Sequence, residues 1–192
     1  LSFSGSTVVG GAGLVLDDFI VTCLRNGYRG LENLSGIPGS LGGALRMNAG
    51  AFGAEISDYL ISVKCMDYQG NFKVLSRSEV NFSYRKAPHL QNMYILEAKF
   101  KFPCAKKETL FIVREEILNQ RRKRQPWQYP TAGSVFKRPP GYYAGELIEK
   151  AGLKGKRIGR AEISRKHAGI IINLGGATAT DVLELIQLIR ST

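Results

Sequence analysis

An α+β fold in two parts is what this sequence predicts, and three observations carry the prediction. Stretches of period-2 apolar alternation and stretches of helical apolar spacing both recur along the chain. They follow one another in irregular order, unlike the regular strand–helix alternation of a doubly wound parallel sheet. A basic run, Arg121-Arg122-Lys123-Arg124, is followed by Pro126 and Pro130, which place a boundary near Lys123, giving parts 1–123 and 124–192.

The chain opens on apolar alternation from Leu1 to Val9, which reads as the inside of a longer polypeptide rather than a natural start. Leu16, Ile20, Cys23 and Leu24 then fall at i, i+4, i+7 and i+8, an amphipathic helix ending at Asn26-Gly27. Glycines crowd the segment from Gly36 to Gly53, where irregular backbone is expected rather than helix or strand. Ile61, Val63 and Cys65 alternate with polar neighbours before a Gln69-Gly70 turn and Phe72 to Leu75, a hairpin. Tyr94, Leu96, Ala98, Phe100 and Phe102 alternate with Ile95, Glu97, Lys99 and Lys101, the cleanest strand pattern, and Leu110, Val113 and Ile117 give a helix whose basic end suits the helix dipole. Past the prolines come a loop, a short helix at Glu146 to Lys150 stopped by Gly152, and a strand at Gly169 to Asn173. The last element is a helix through Val182, Leu185, Ile186 and Ile189, opened by Thr180 and Asp181.

With 27 Lys+Arg against 16 Asp+Glu the formal charge is +11, which points to anionic partners without choosing among nucleotides, RNA and acidic lipid. The longest apolar stretches, such as Ala168 to Ile172, are far too short to span a bilayer, and a cytoplasmic, membrane-free location is expected. Cys23, Cys65 and Cys104 match neither a disulfide framework nor a metal knuckle, so buried free thiols and no metal site are expected. Nucleic acid is disfavoured because neither an exposed aromatic platform nor a recognisable motif accompanies the charge.

Three segments could carry chemistry. Gly36-Ile37-Pro38-Gly39-Ser40-Leu41-Gly42-Gly43 offers backbone N–H groups that can approach a pyrophosphate closely, although no Gly-Lys-Ser/Thr makes it a P-loop. Residue chemistry leaves a cofactor loop and a purely structural glycine loop both open. Tyr84-Arg85 follows a strand-like approach, and an arginine in a loop is most simply a surface residue. Gly133-Ser134 reads as a turn, and it is not the Gly-x-Ser-x-Gly of a hydrolase elbow.

Taken with Gly30-Leu31-Glu32 and Asn48-Ala49-Gly50-Ala51, the glycine-rich segment resembles the flavin-binding stretch of UDP-N-acetylenolpyruvoylglucosamine reductases. Tyr84-Arg85, Ala132-Gly133-Ser134-Val135-Phe136-Lys137-Arg138-Pro139, Ala151-Gly152-Leu153-Lys154-Gly155, His167-Ala168 and Asn173 extend the resemblance over nearly the whole chain. Tyr142-Tyr143 after Pro139-Pro140-Gly141 is similar to the branch that lacks an extra substrate-covering loop. The resemblance implies a vanillyl-alcohol-oxidase-like FAD-binding lobe at 1–123 and a smaller α+β substrate-binding domain at 124–192. It implies FAD as cofactor and NADPH as hydride donor. The reaction implied is reduction of UDP-N-acetylglucosamine enolpyruvate to UDP-N-acetylmuramate, in peptidoglycan precursor synthesis.

Site roles follow from the same resemblance, position by position. Flavin binding falls to Gly36, Ile37, Pro38, Gly39, Ser40, Gly42, Gly43, Asn48, Ala49, Gly50 and Ala51. Arg85 would support the substrate carboxylate and developing enol, which suits the planar guanidinium fork. Ser134 would donate a proton, and Tyr84, Lys137, Arg138, His167 and Asn173 would contact substrate. Ala87 departs from the family, which commonly has serine there. A first FAD lobe before Leu1 and a catalytic glutamate beyond Thr192 are implied too, so the chain is expected to be incomplete for catalysis. The rival readings are a non-catalytic nucleotide-binding remnant of the same fold and a basic RNA-binding module.

Overall fold

The computed structural model describes the whole chain, Leu1–Thr192. It divides into two compact units, Leu1–Asn119 and Gln120–Thr192.

In the first unit, β1 (Ser2–Ser4) and β2 (Thr7–Gly11) form an opening hairpin. Helix α1 (Leu16–Arg25) follows, with Asp17 and Asp18 in its first turn, where the helix dipole favours negative charge, and with Leu16, Phe19, Ile20, Cys23 and Leu24 buried. It ends at Asn26, where the spacing predicts the end, because Gly27 takes a left-handed φ of 78°. The expected irregular segment proves partly regular: it contains helix α2 (Leu41–Arg46) and a small ribbon of β3 (Gly50–Ala51) and β4 (Ala54–Glu55). Burial of Leu41, Ala44 and Leu45 outweighs the poor helix propensity of Gly42 and Gly43. The predicted hairpin is β5 (Leu60–Asp67) and β6 (Phe72–Ser76), followed by the short α3 (Arg77–Val80). Strand β7 (Met93–Lys101) and the long α4 (Lys107–Arg124) complete the series, and α4 carries the chain across the division between the units.

These strands make one antiparallel sheet in the order β1-β2-β7-β5-β6. Its inner face packs on α1 and α2 through Val8, Val63, Cys65, Ala98 and Phe100, all fully buried. Phe100 lies 5.4 Å from Phe19 and 5.5 Å from Phe102, ring centroid to ring centroid, and each such burial contributes roughly 1.5–3 kcal/mol. Burial pushes the Cys23 thiol up to about 12. Cys104 corrects the expectation of three buried thiols: it is exposed, because it lies past the end of β7 beside Tyr28. The outer face also departs from expectation. Phe72, Met66 and Tyr94 form one row across β6, β5 and β7, and Phe72 and Tyr94 are exposed, with Tyr68 stacked edge-on to Tyr94 at 5.3 Å. Exposed aromatic rings do therefore accompany the positive charge.

The second unit holds β8 (Thr131–Ser134), α5 (Ala144–Lys150), β9 (Arg157–Ile158), β10 (Ala161–Ile163), β11 (Ile170–Asn173) and α6 (Ala179–Ser191). Its antiparallel sheet runs β8-β11-β10-β9 over a core of Ile148, Leu153, Ala161, Ile163, Ala168, Ile171 and Leu185. Ser134 thus ends an edge strand instead of sitting in a turn. The cap of α6 is Thr178, not Thr180: its hydroxyl accepts from Asp181 N while the Asp181 carboxylate accepts from Thr178 N, a capping box. The same carboxylate accepts from Arg160 N at 3.0 Å, tying the β9–β10 turn to the helix. These bonds, that from Arg160 first, hold the Asp181 carboxyl below the ordinary carboxylate value. No helix is long and apolar enough to cross a membrane.

Candidate functional site

The glycine-rich loop is anchored at its start by Asp17. One carboxylate oxygen accepts from Gly36 N at 2.9 Å and the other pairs with Arg114 Nη2 of α4 at 2.6 Å. Gly36 (φ 76°) and Gly39 (φ 118°) take conformations that disfavour side chains. Between them Ile37 packs against the core while Pro38 stays exposed. Ser40 caps α2 by accepting from Gly43 N at 3.1 Å. Gly42 has a packing reason to be glycine, since a Cβ there would sit 2.9 Å from that of Ala12. The exposed Gly43 instead borders an open groove of about 340 Å3, with Ala12, Gly13, Ser40, Arg46 and Tyr94. Arg46 donates to the carbonyls of Gln91 and Met93, fixing a cation at the edge of this groove. A groove of this size, walled by glycine backbone and one cation, suits part of a phosphate-bearing dinucleotide.

Asn48, Gly50, Tyr84 and Arg85 belong to separate motifs in the sequence and come together in the fold. Arg85 stands in a tight turn closed by reciprocal backbone bonds between Ser83 and Lys86 at 2.9 and 3.0 Å. Its guanidinium donates to Gly50 O at 2.6 Å and to Asn48 O at 3.3 Å, and lies 4.9 Å from the centre of the Tyr84 ring. Two N–H groups are used this way and the rest of the fork remains. Asn48 is fully buried; its Nδ2 donates to Glu55 Oε2 at 2.6 Å and to Ser83 O at 3.1 Å, and its Oδ1 has no partner. Asn48 (φ 40°), Phe52 (φ 50°) and Arg85 (φ 55°) are all left-handed without being glycine, and such strain gathers at functional sites. Ala49 and Ala51 pack against the core beneath. Ala87 is itself wholly buried, so the site makes no use of a hydroxyl at that position. Glu55 is the residue the sequence reading missed, although the Glu55–Asp58 spacing carries a capping signal.

In the second unit, Ser134 pairs in register with Ile170, and Val135 N donates to Gly169 O at 2.9 Å. His167 lies beside this strand pair. Its Nδ1 accepts from Gly169 N at 3.2 Å, which leaves the proton of the neutral ring on Nε2. A Cβ on Gly169 or Gly145 would come within 3.0 and 3.4 Å of the ring, so both glycines make room for it. Arg138 lies 4.2 Å over the Tyr143 ring and donates to its hydroxyl at 3.1 Å. Lys137 and Ser134 are exposed. Asn173 stands at the other end of β11, where its Oδ1 accepts from Gly175 N at 2.8 Å and Ala177 N at 3.0 Å and so holds its own loop. Among the described residues, no three His, Cys, Asp or Glu side chains gather as metal ligands.

The profile of the FAD binding domain matches residues 1–76, which makes the first unit a flavin-binding type of lobe. That of the UDP-N-acetylenolpyruvoylglucosamine reductase C-terminal domain matches residues 125–192. A UDP-N-acetylenolpyruvoylglucosamine reductase of Listeria monocytogenes is 44% identical over 190 residues, covering 98% of this chain and 64% of that protein. One of Clostridium tetani is 42% identical over 186 residues, covering 96% of this chain and 61% of its own length. The crystal structure of the Thermus caldophilus reductase superposes with a TM-score of 0.90 at 37% identity, over 99% of this chain and 70% of that one. The chain belongs to the UDP-N-acetylenolpyruvoylglucosamine reductase family, and it spans less than two thirds of the length of the Listeria and Clostridium relatives.

Proposed function

We propose that this chain is the flavin- and substrate-contacting portion of a reductase that converts UDP-N-acetylglucosamine enolpyruvate to UDP-N-acetylmuramate, using FAD and NADPH in the cytoplasm. The observation that carries this reading is the convergence of Arg85 on the flavin-binding type of loop, through Asn48 O and Gly50 O. The groove at Ser40, Gly43 and Arg46, and the exposed backbone at Pro38 and Gly39, fit part of FAD. When bound, FAD supplies hydride transfer from the reduced nicotinamide to the enolpyruvyl alkene. The unspent edge of Arg85 would hold the substrate carboxylate and stabilise charge as it builds there, where a preorganised donor is worth most. Tyr84, stacked against the guanidinium, would limit its swing.

Ser134 would donate the proton that completes the lactyl ether. His167, with Nδ1 engaged by Gly169, would offer Nε2–H to an anionic substrate, alongside Lys137 and Arg138. Asn173 keeps its amide N–H groups for a ligand while its oxygen holds the loop. The test is an absorbance spectrum of the full-length protein, followed by anaerobic addition of NADPH and then of the enolpyruvyl sugar nucleotide. Bleaching and recovery of a flavin band are expected; a colourless protein, or a bleached band the sugar nucleotide does not restore, would overturn the reading.

A further inference from the structure

We propose that Glu55 is a positioning residue for Arg85, acting through Asn48 and the β3–β4 ribbon; this rests on the reading in which Arg85 meets the substrate carboxylate. Backbone carbonyls can aim a guanidinium only if the backbone that carries them is fixed. The carbonyls that hold Arg85 belong to Asn48, in a left-handed conformation no glycine relieves, and to Gly50, the first residue of the ribbon. What fixes Asn48 is its own amide, through the 2.6 Å bond from Nδ2 to Glu55 Oε2 and the 3.1 Å bond to Ser83 O. The second of these reaches the turn that carries Arg85 itself.

Glu55 is in turn held from several sides. Its side chain accepts from Asp58 N while its own N–H donates to Asp58 Oδ2 at 2.8 Å, a capping box at the following helical turn. It pairs with Gly50 across the ribbon, and Ile56 N donates to Ala49 O at 2.8 Å. Glu55 Cγ and Arg85 Nη1 lie against the same point, 3.0 and 3.1 Å from where a Cβ on Gly50 would stand. The carboxylate nonetheless forms no ion pair with the guanidinium. Glu55 therefore sets the place of Arg85 while leaving its charge for an incoming carboxylate. A direct ion pair would have satisfied the guanidinium and blunted it.

The test uses the full-length protein with its flavin, comparing Glu55→Ala, Glu55→Asp, Glu55→Gln and Arg85→Lys. Calorimetric affinity for the enolpyruvyl sugar nucleotide and the rotation of the Arg85 guanidinium by 15N NMR are measured beside the rate of each half-reaction. Alanine removes the acceptor and aspartate withdraws it by one methylene. Both are expected to free the guanidinium and to weaken binding and flavin reoxidation by about 10–100-fold, as a misplacement of about 1 Å would. Flavin reduction by NADPH should change far less. Glutamine keeps an acceptor for Asn48 and should remain within about threefold of wild type by the same measure of geometry. An Ala or Asp variant with a guanidinium as restrained as wild type overturns the proposal, as does a Gln variant as impaired as Ala. Weakened Arg85→Lys beside an unaffected Glu55→Ala overturns the positioning role alone. Normal binding by Arg85→Lys overturns the functional reading and the proposal with it. Should Glu55→Ala not fold, Glu55→Asp decides in the same way.

Discussion

Adding one methyl group at Gly50 should loosen Arg85 and destabilise the protein by an amount the geometry sets. A Cβ there would stand 3.0 Å from Ala54 O, 3.0 Å from Glu55 Cγ and 3.1 Å from Arg85 Nη1. All three fall inside ordinary van der Waals contact, so each neighbour must retreat by about 0.3–0.5 Å, or the ribbon must open. Gly50 does not have a left-handed φ, so the penalty is steric rather than conformational. Overpacking of this kind costs about 1–3 kcal/mol. At roughly 2–4 °C per kcal/mol for a chain of this size, the melting temperature of Gly50→Ala should fall by about 2–12 °C. Gly11→Ala is the control, since a Cβ at Gly11 meets nothing within 4 Å. Calorimetric melts of the two variants decide the matter. Equal melting temperatures for Gly50→Ala and Gly11→Ala would refute the idea that this ribbon is packed tightly against Arg85.

In the full-length protein, Ser134→Ala should leave flavin reduction by NADPH nearly intact and slow reoxidation by the enolpyruvyl substrate about 10²–10⁴-fold, with Ser134→Cys retaining more activity than alanine; stopped-flow absorbance that shows both halves slowed equally, or neither, removes the proton-donor role. Asp181 accepts bonds from Arg160 N and Thr178 N, and its folded carboxyl lies below the ordinary value. The stability it contributes is therefore present above the unfolded carboxylate value, about 3.9, and is lost as pH falls through the folded one. Wild type should melt above Asp181→Asn at neutral pH, with the gap closing below about pH 4; a gap independent of pH would contradict this. A maleimide probe on the native chain should modify Cys104 alone, since Cys23 and Cys65 are buried and burial raises both thiols; mass spectrometry finding either buried cysteine labelled as fast as Cys104 would overturn it.

By itself the sequence determined the elements whose signal is local. Helix α1 repeats its apolar residues at helical spacing and stops at Asn26-Gly27, and β7 alternates inward Ala98 and Phe100 with outward lysines, so both were legible there. At the start of β7 the alternation misleads: the pairing with β5 shifts between Lys64 and Cys65, so Ile95 packs on the core and Tyr94 is exposed. The Gln69-Gly70 turn fixed the β5–β6 hairpin in the same way. Strands β9 and β10 were not legible, for they are two and three residues long and β10 buries Glu162 between Ala161 and Ile163. That carboxylate is tolerated inside because Arg157 reaches it at 2.7 Å, a pairing that exists only once the strands meet. Helix α2 was hidden for a related reason: its glycines argue against a helix, and only the core beneath Leu41, Ala44 and Leu45 reverses the balance. The site divides along the same line. Residue type and order, through resemblance, marked the glycine loop, the Tyr84-Arg85 pair and Ser134 as candidates. Tertiary structure alone decided that Arg85 reaches across 35 residues to Gly50 and that Glu55 steadies Asn48 beneath it. Left-handed turns at Asn48 and Arg85 bring those groups together, and such turns are held by packing and hydrogen bonds that no local stretch of sequence encodes.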